Sequence, residues 1–233
     1  MPTSMAQIAQ NEYGTYSVPE RLQHRPAVRL VTAGQVYEPE TIAFMARHAG
    51  DGDVIHAGTF FGDFLPGVAA GLAPGRTIWA FEPNPNSFEN AARTIDLNRL
   101  DNVVLTNAAL SKLDGSILFR THDDRGEPLG GHSHFVEEDG PGIERVDSVT
   151  LDSCVPADRK VSILQLDVEG HERAALLGAR RIIETWKPIL ILEEFRRPRW
   201  LRVNFPGLGY RQVGKLHGNR VFAVRDMDVR ARS

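Results

Sequence analysis

The sequence predicts an α/β fold: a mostly parallel sheet covered by helices on both faces, with an antiparallel hairpin at its C-terminal edge. Short apolar runs alternate with stretches of helical length, the pattern left by βαβ crossovers. No internal repeat and no Ser/Gly-rich linker divides the 233 residues, so the alternation belongs to one core. Near the end, residues 210–216 and 220–224 flank His217-Gly218-Asn219, a hairpin signal.

In order, a polar, loop-like start runs to about Arg29. Asp53–Ala57 (DVIHA) is the first strand, followed by a glycine turn and a helix near residues 63–72. Residues 77–81 (TIWAF) form the next strand. The helix after it is well marked: Asn84 can cap it, Pro85 suits its first turn, and Phe88, Ala91, Ala92 and Ile95 recur at i, i+3, i+4, i+7. Residues 103–105 and 117–119 read as strands, Val161–Leu166 (VSILQL) precedes a helix near residues 171–184, and residues 188–192 (PILIL) are strand again. Residues 121–144, rich in Gly, Asp, Glu and His, form a polar insert, a long loop or hairpin tip. Residues 1–36 are read as an N-terminal arm that can act as a lid, and 37–233 as the main domain.

Composition excludes several classes. With 42% hydrophobic and 24% charged residues the chain is an ordinary globular one. Twenty-seven Lys+Arg against 30 Asp+Glu give a net charge of −3, without the cationic excess that nucleic-acid binding favours. No apolar run approaches the length of about 20 residues that spans a bilayer, and the first 30 residues lack a secretory pattern, so a cytoplasmic protein with no membrane partner is expected. The single cysteine, Cys154, cannot form an intramolecular disulfide and is read as a loop residue.

In a parallel sheet, ligands bind beyond the carboxyl ends of the strands. There the first strand runs into His56-Ala57-Gly58-Thr59-Phe60-Phe61-Gly62-Asp63, a turn that lets a ligand approach the backbone; a turn needed only for packing is the alternative. Its spacing is not G-x-G-x-x-G, because Phe60 stands at the middle glycine position. Glu82, at the end of the next strand and about 20 residues on, sits where Rossmann-like sites place the acid that accepts ribose hydroxyls; a solvent-exposed turn acid is the alternative. After VSILQL come Asp167, Glu169, His171 and Glu172, three acids and a histidine that can orient a base, bind a hydroxyl or hold a metal. Glu172 also suits a first helical turn, and His171 can simply decorate it.

Together the blocks Gly58…Gly62-Asp63, FEPNP (residues 81–85), Asn107-Ala108-Ala109-Leu110-Ser111, LDVEGHE (residues 166–172) with Leu177-Gly178-Ala179, and Pro188…Glu193-Glu194 resemble the FkbM-type S-adenosylmethionine-dependent methyltransferases, over residues 37–194. The resemblance implies a class I methyltransferase, Rossmann-like fold with a seven-stranded, mostly parallel sheet, S-adenosylmethionine as cofactor, and methylation of a hydroxyl on a natural product, small molecule or glycan. Carried over, Gly58, Thr59 and Gly62 line the methionine end, Glu82 takes the ribose, Asn107 and Ala108 border the adenine, and Asp167 faces the transferring methyl. His56, Phe60, Asp63 and Pro83 complete the implied cofactor set. The chain departs from the family pattern at His56, where an acid is common, and at Phe60, where Asn is common.

An alcohol acceptor needs a base or a Lewis-acid metal. Candidate bases are His132 and His134 in the insert and His171. Asp167 with Glu193 or Glu194 could gather oxygen ligands for Mg²⁺, or hydrogen-bond the substrate directly. Arg196, Arg197, Arg199 and Arg202, with Trp200, form either an anion-binding cluster or a solvated face. Two rival functions stand beside methyl transfer: an NAD-type oxidoreductase, and a Rossmann-like binding module without catalysis.

Overall fold

A computed structural model describes residues 6–193 and 195–225. The chain opens with a hairpin, β1 (Gln7–Asn11) and β2 (Gly14–Val18), then α1 (Pro26–Thr32) and α2 (Pro39–His48). The central run is β3 (Asp53–Ala57), α3 (Leu65–Ala70), β4 (Ile78–Phe81), α4 (Pro85–Asn98) and β5 (Val103–Thr106). Four strands follow: β6 (Ala109–Leu110), β7 (Gly115–Arg120), β8 (His134–Val136) and β9 (Ile143–Val149). The chain then forms α5 (Leu151–Cys154), β10 (Val161–Leu166), α6 (Glu172–Leu177), α7 (Arg180–Trp186), β11 (Ile189–Glu193), α8 (Pro198–Asn204), β12 (Arg211–Leu216) and β13 (Asn219–Ala223).

The expected sheet is present. Seven strands lie in the order β12-β13-β11-β10-β3-β4-β5, with β11, β10, β3, β4 and β5 parallel and β13 and β12 antiparallel at the edge. Side chains alternate between two cores, as strand geometry dictates. On one face Ile55, Ala57, Leu164, Leu166, Leu190 and Leu192 pack against Leu176 and Ile183 of α6 and α7. On the other, Val54, Ile78, Ile163 and Ile191 meet Ile42 and Met45 of α2 and Leu65 and Val68 of α3. At about 25 cal/mol per Å² of apolar surface, burial on both faces is the dominant force holding the strand ends in line. Among the described residues no helix is long and apolar enough to cross a membrane.

Several local expectations need correction. The arm is structured: β2 lies on α4 through side chains, with the Thr15 amide donating to Asn98 Oδ1 at 2.9 Å and the Ser17 amide to Thr94 Oγ1 at 3.1 Å. The strand at residues 117–119 does not join the main sheet; it belongs to β7, which pairs antiparallel with β8 and β9 in a second sheet ordered β6-β9-β7-β8. The polar insert is the long connection between β7 and β9 and carries β8. The single helix expected near residues 171–184 is two, because Gly178 lies against the Ser111 carbonyl, where a Cβ would come within 2.0 Å. The Asp152 carboxylate then caps α7, accepting from the amides of Arg181 at 2.7 Å and Ile182 at 3.1 Å. Cys154 ends α5 rather than lying in a loop.

Candidate active site

One cavity opens along the carboxyl ends of β4, β3, β10 and β11 and is roofed by α1 and the insert. Its centre is the turn after β3. Gly58 (φ +79°) runs so close to β10 that a Cβ would lie 1.9 Å from the Asp167 carbonyl oxygen. Phe60 is left-handed at φ +52°, a conformation that costs a non-glycine residue about 1–2 kcal/mol and that Asn tolerates better than Phe. The strained backbone aims its amide at Glu82, which accepts from Phe60 N at 2.7 Å through Oε2 and from Asn84 N at 2.9 Å through Oε1. Each Glu82 oxygen thus keeps a lone pair for a ligand.

Asn84 caps α4 as expected, its Oδ1 accepting from Asn86 N at 3.0 Å and Ser87 N at 3.3 Å. Its Nδ2 donates to Ser133 Oγ at 3.0 Å, tying α4 to the insert. The roof is anchored twice more. Arg25 donates to the Leu129 carbonyl at 2.6 Å and contacts His132 Nδ1. The Phe60 ring packs under Gly130 and Gly131.

Of the expected residues, His56, Gly58, Phe60, Asp63, Glu82, Pro83, Ala108, His132, Asp167, His171 and Glu193 line the cavity. Thr59, Gly62, Asn107 and His134 do not. Thr59 turns its hydroxyl back to the His56 carbonyl at 3.1 Å, Asn107 donates to the carbonyls of Glu82 and Pro83 at 2.7 and 3.3 Å, and His134 Nδ1 lies 3.0 Å from the His132 carbonyl. Glu194 lies outside the described residues. The exposed Arg196, Arg197, Arg199 and Arg202 stay off the cavity. The sequence reading missed Arg25, Tyr37, Glu38, Gln165 and Asn219, all of which line it. Glu38 had a faint signal, an acid before the Pro39 that opens α2; Asn219 had none beyond its hairpin turn.

The cavity is acidic: Glu38, Asp63, Glu82, Asp167, Glu169 and Glu193 line it, against Arg25 as the one Lys or Arg among the described lining residues. Burial pushes Glu82 up to about 8 and Asp63 up to about 7. Asp167 is held well above the usual range by burial and by a carboxyl–carboxyl hydrogen bond with Glu193. Oxygens of Asp167, Glu169 and Glu193 lie within 4.8 Å of one another, close enough for each charge to disfavour the others. Burial lowers His171 and His132, so both are neutral proton acceptors near pH 7; Arg25 adds to the effect at His132 and Lys112 at His171. His56, lowered by burial to about 4, is neutral as well.

Groups whose carboxyl pKa is raised on folding bind protons that the unfolded chain has released, so stability falls as pH rises through that interval. For Glu82 it runs from the ordinary 4.5 to about 8. The ligand-free protein is therefore expected to melt at a lower temperature at pH 8.5 than at pH 5.5, and Glu82→Gln to reduce that difference; equal slopes in thermal scans of the two proteins would refute this.

The family model described as the methyltransferase FkbM domain matches residues 53–215. No curated protein sequence matches. Similar solved structures include methyltransferase FkbM from Methylobacillus flagellatus KT (18% identity, TM-score 0.49), with 74% of this chain and 43% of that one covered. Others are a SAM-dependent methyltransferase from Aquifex aeolicus (12% identity, 85% and 93% covered, TM-score 0.46) and M. jannaschii TYW2 in complex with AdoMet (15% identity, 95% and 85% covered, TM-score 0.46). The family match spans the turn after β3, Glu82, Asp167 and Glu193, all of the strand ends that build the cavity, and the chain belongs to the FkbM methyltransferase family.

Proposed function

We propose that the protein transfers a methyl group from S-adenosylmethionine to a hydroxyl of a small-molecule or glycan acceptor. The observation that carries this is Glu82: a buried carboxylate at the end of β4, fixed by two backbone amides, with lone pairs free for two vicinal hydroxyls. The residues present fit the cofactor. Glu82 would hold the ribose, Pro83 and Ala108 flank the adenine, and Gly58, Phe60 and Asp63 bound the methionine end. Family membership favours this over nicotinamide-dependent hydride transfer.

The bound cofactor supplies an electrophilic methyl on a sulfonium. The chain's own task is then positioning and proton removal. Asp167, beside Gly58 at the β10 end, orients the acceptor. His171 Nε2, 3.3 Å from Ser111 Oγ, and His132, on the roof, are the neutral imidazoles able to take the hydroxyl proton; of the two, His171 stands at the N-cap of α6 and is held by a side-chain contact. His134, turned to the backbone, is the weaker candidate. Residues of α1 and of the insert line the roof and would cover a bound cofactor. Mg²⁺ is not required for this route.

The test is S-adenosylhomocysteine release from S-adenosylmethionine across a panel of polyol and phenolic acceptors. His171→Ala should lower kcat about 100-fold or more with cofactor affinity retained. Turnover unchanged in His171→Ala would remove the base from this position.

A further inference from the structure

Four of the cavity's six carboxyls are left over once Glu82 is assigned to the ribose and Asp63 to the methionine end; Asp167, Glu169 and Glu193 gather at the ends of β10 and β11, and Glu38 meets Asn219, the register partner of Glu193. The same side carries a second, independent feature. Asn219, 3% exposed, lies at the start of β13 opposite Glu193 in the strand register. Its Nδ2 donates to Glu38 Oε2 at 3.0 Å, while its Oδ1 has no partner among the described residues. His56 repeats the pattern. Its Nδ1 faces Gln165 Oε1 at 2.5 Å and so carries the proton, leaving the buried Nε2 as a bare acceptor. Acids and unpartnered atoms alike are acceptors, and a buried acceptor without a donor costs about 1–3 kcal/mol. Thr41, Asn219 and Tyr37 already donate to Glu38, so what this side still lacks is a donor for the two unpartnered atoms and, among the described lining residues, a Lys or Arg beyond Arg25 to set against Asp167 and Glu193.

We propose that this compartment, bounded by Glu38, Asp167, Glu193 and Asn219, recognises a protonated amine on the methyl acceptor, so that the substrate is an amino sugar or a similar aminated polyol. The proposal rests on the methyl-transfer reading for the identity of the acceptor. An ammonium brings three donors and the missing charge in one group. A neutral sugar brings donors without charge, and a uronate adds a negative charge where acids already crowd. The cofactor's own amino group does not exhaust the compartment, because Asn219, on β13, lies across β11 and β10 from the turn after β3.

The experiment is ligand-observed NMR titration of the protein saturated with S-adenosylhomocysteine, using D-glucosamine, D-glucose and D-glucuronate at pH 7.5. Glucosamine should bind about 10-fold more tightly than glucose, the worth of one charge-assisted hydrogen bond, with glucuronate weakest. Glu193→Gln and Asn219→Ala should each shrink that preference while leaving affinity for S-adenosylhomocysteine within about twofold. Equal binding of glucosamine and glucose overturns the proposal, as does a preference for glucuronate. Tight binding of Mg²⁺ alone that then becomes necessary for glucose binding also overturns it, by making the acids a metal site. The titrations are repeated without S-adenosylhomocysteine. If that ligand fails to bind, the methyl-transfer reading falls while the ranking of the three sugars still decides the amine proposal.

Discussion

Gly58→Ala is expected to lower the melting temperature by roughly 10 °C and to abolish measurable cofactor binding. Two costs combine at this position. The left-handed backbone, φ +79°, charges any L-residue about 1–2 kcal/mol, and a Cβ at 1.9 Å from the Asp167 carbonyl forces β3 and β10 apart where the cavity begins. A total of about 3 kcal/mol corresponds to a shift of that size in a domain of this length. Gly75 isolates the first cost, since it is also left-handed, φ +76°, with nothing within 4 Å of where a Cβ would stand. Gly75→Ala should therefore lose only the conformational part and bind cofactor normally. Identical melting curves for the two variants would show that the approach of Gly58 to β10 is not tight in solution.

Glu82→Gln is the second large effect. The amide keeps the size of the side chain and one carbonyl oxygen, so the fold should survive. Above about pH 8, where Glu82 ionises, an acceptor on both oxygens is lost, and at any pH the NH₂ group meets the amide of Phe60 or Asn84, both donors. Loss of charge-assisted bonds worth about 1.5–3 kcal/mol predicts affinity for S-adenosylhomocysteine reduced about 10- to 100-fold. Glu82→Ala should do at least as much and destabilise the turn besides, because it strands two buried donors. Affinity unchanged in Glu82→Gln would remove Glu82 from cofactor binding.

The strand ends were legible because their evidence is local. DVIHA, TIWAF and VSILQL announce buried strands, and the residue after each lands at the carboxyl edge by chain direction alone. The Asn84-Pro85 start of α4 is a helix signal in two residues, and the structure repeats it bond for bond. The arm was not legible. QIAQN in β1 buries only Ala9, and what holds the hairpin is a set of bonds from Thr15 and Ser17 to residues on α4, more than 70 positions away. The helix break at Gly178 depends on the Ser111 backbone, again a distant partner.

The site divides in the same way. Glu82 and Asp167 follow strands and could be named. Glu38 and Asn219 meet only because the C-terminal hairpin returns beside β11 and brings its turn to the start of α2, where His217 also stacks edge-on against Tyr37 with ring centres 5.7 Å apart. Thr59 and Asn107 matched the family pattern by position, but their side chains serve the turns that shape the cavity rather than the cavity itself. Position in a motif identifies the loop; which way a side chain faces depends on bonds the motif does not contain.

Calorimetric titration of the wild-type protein with S-adenosylhomocysteine, run beside NAD⁺, decides which cofactor the cavity takes. Saturable binding at one site per chain, with no heat from NAD⁺, is the predicted result. Saturable NAD⁺ binding with silence from S-adenosylhomocysteine would contradict it.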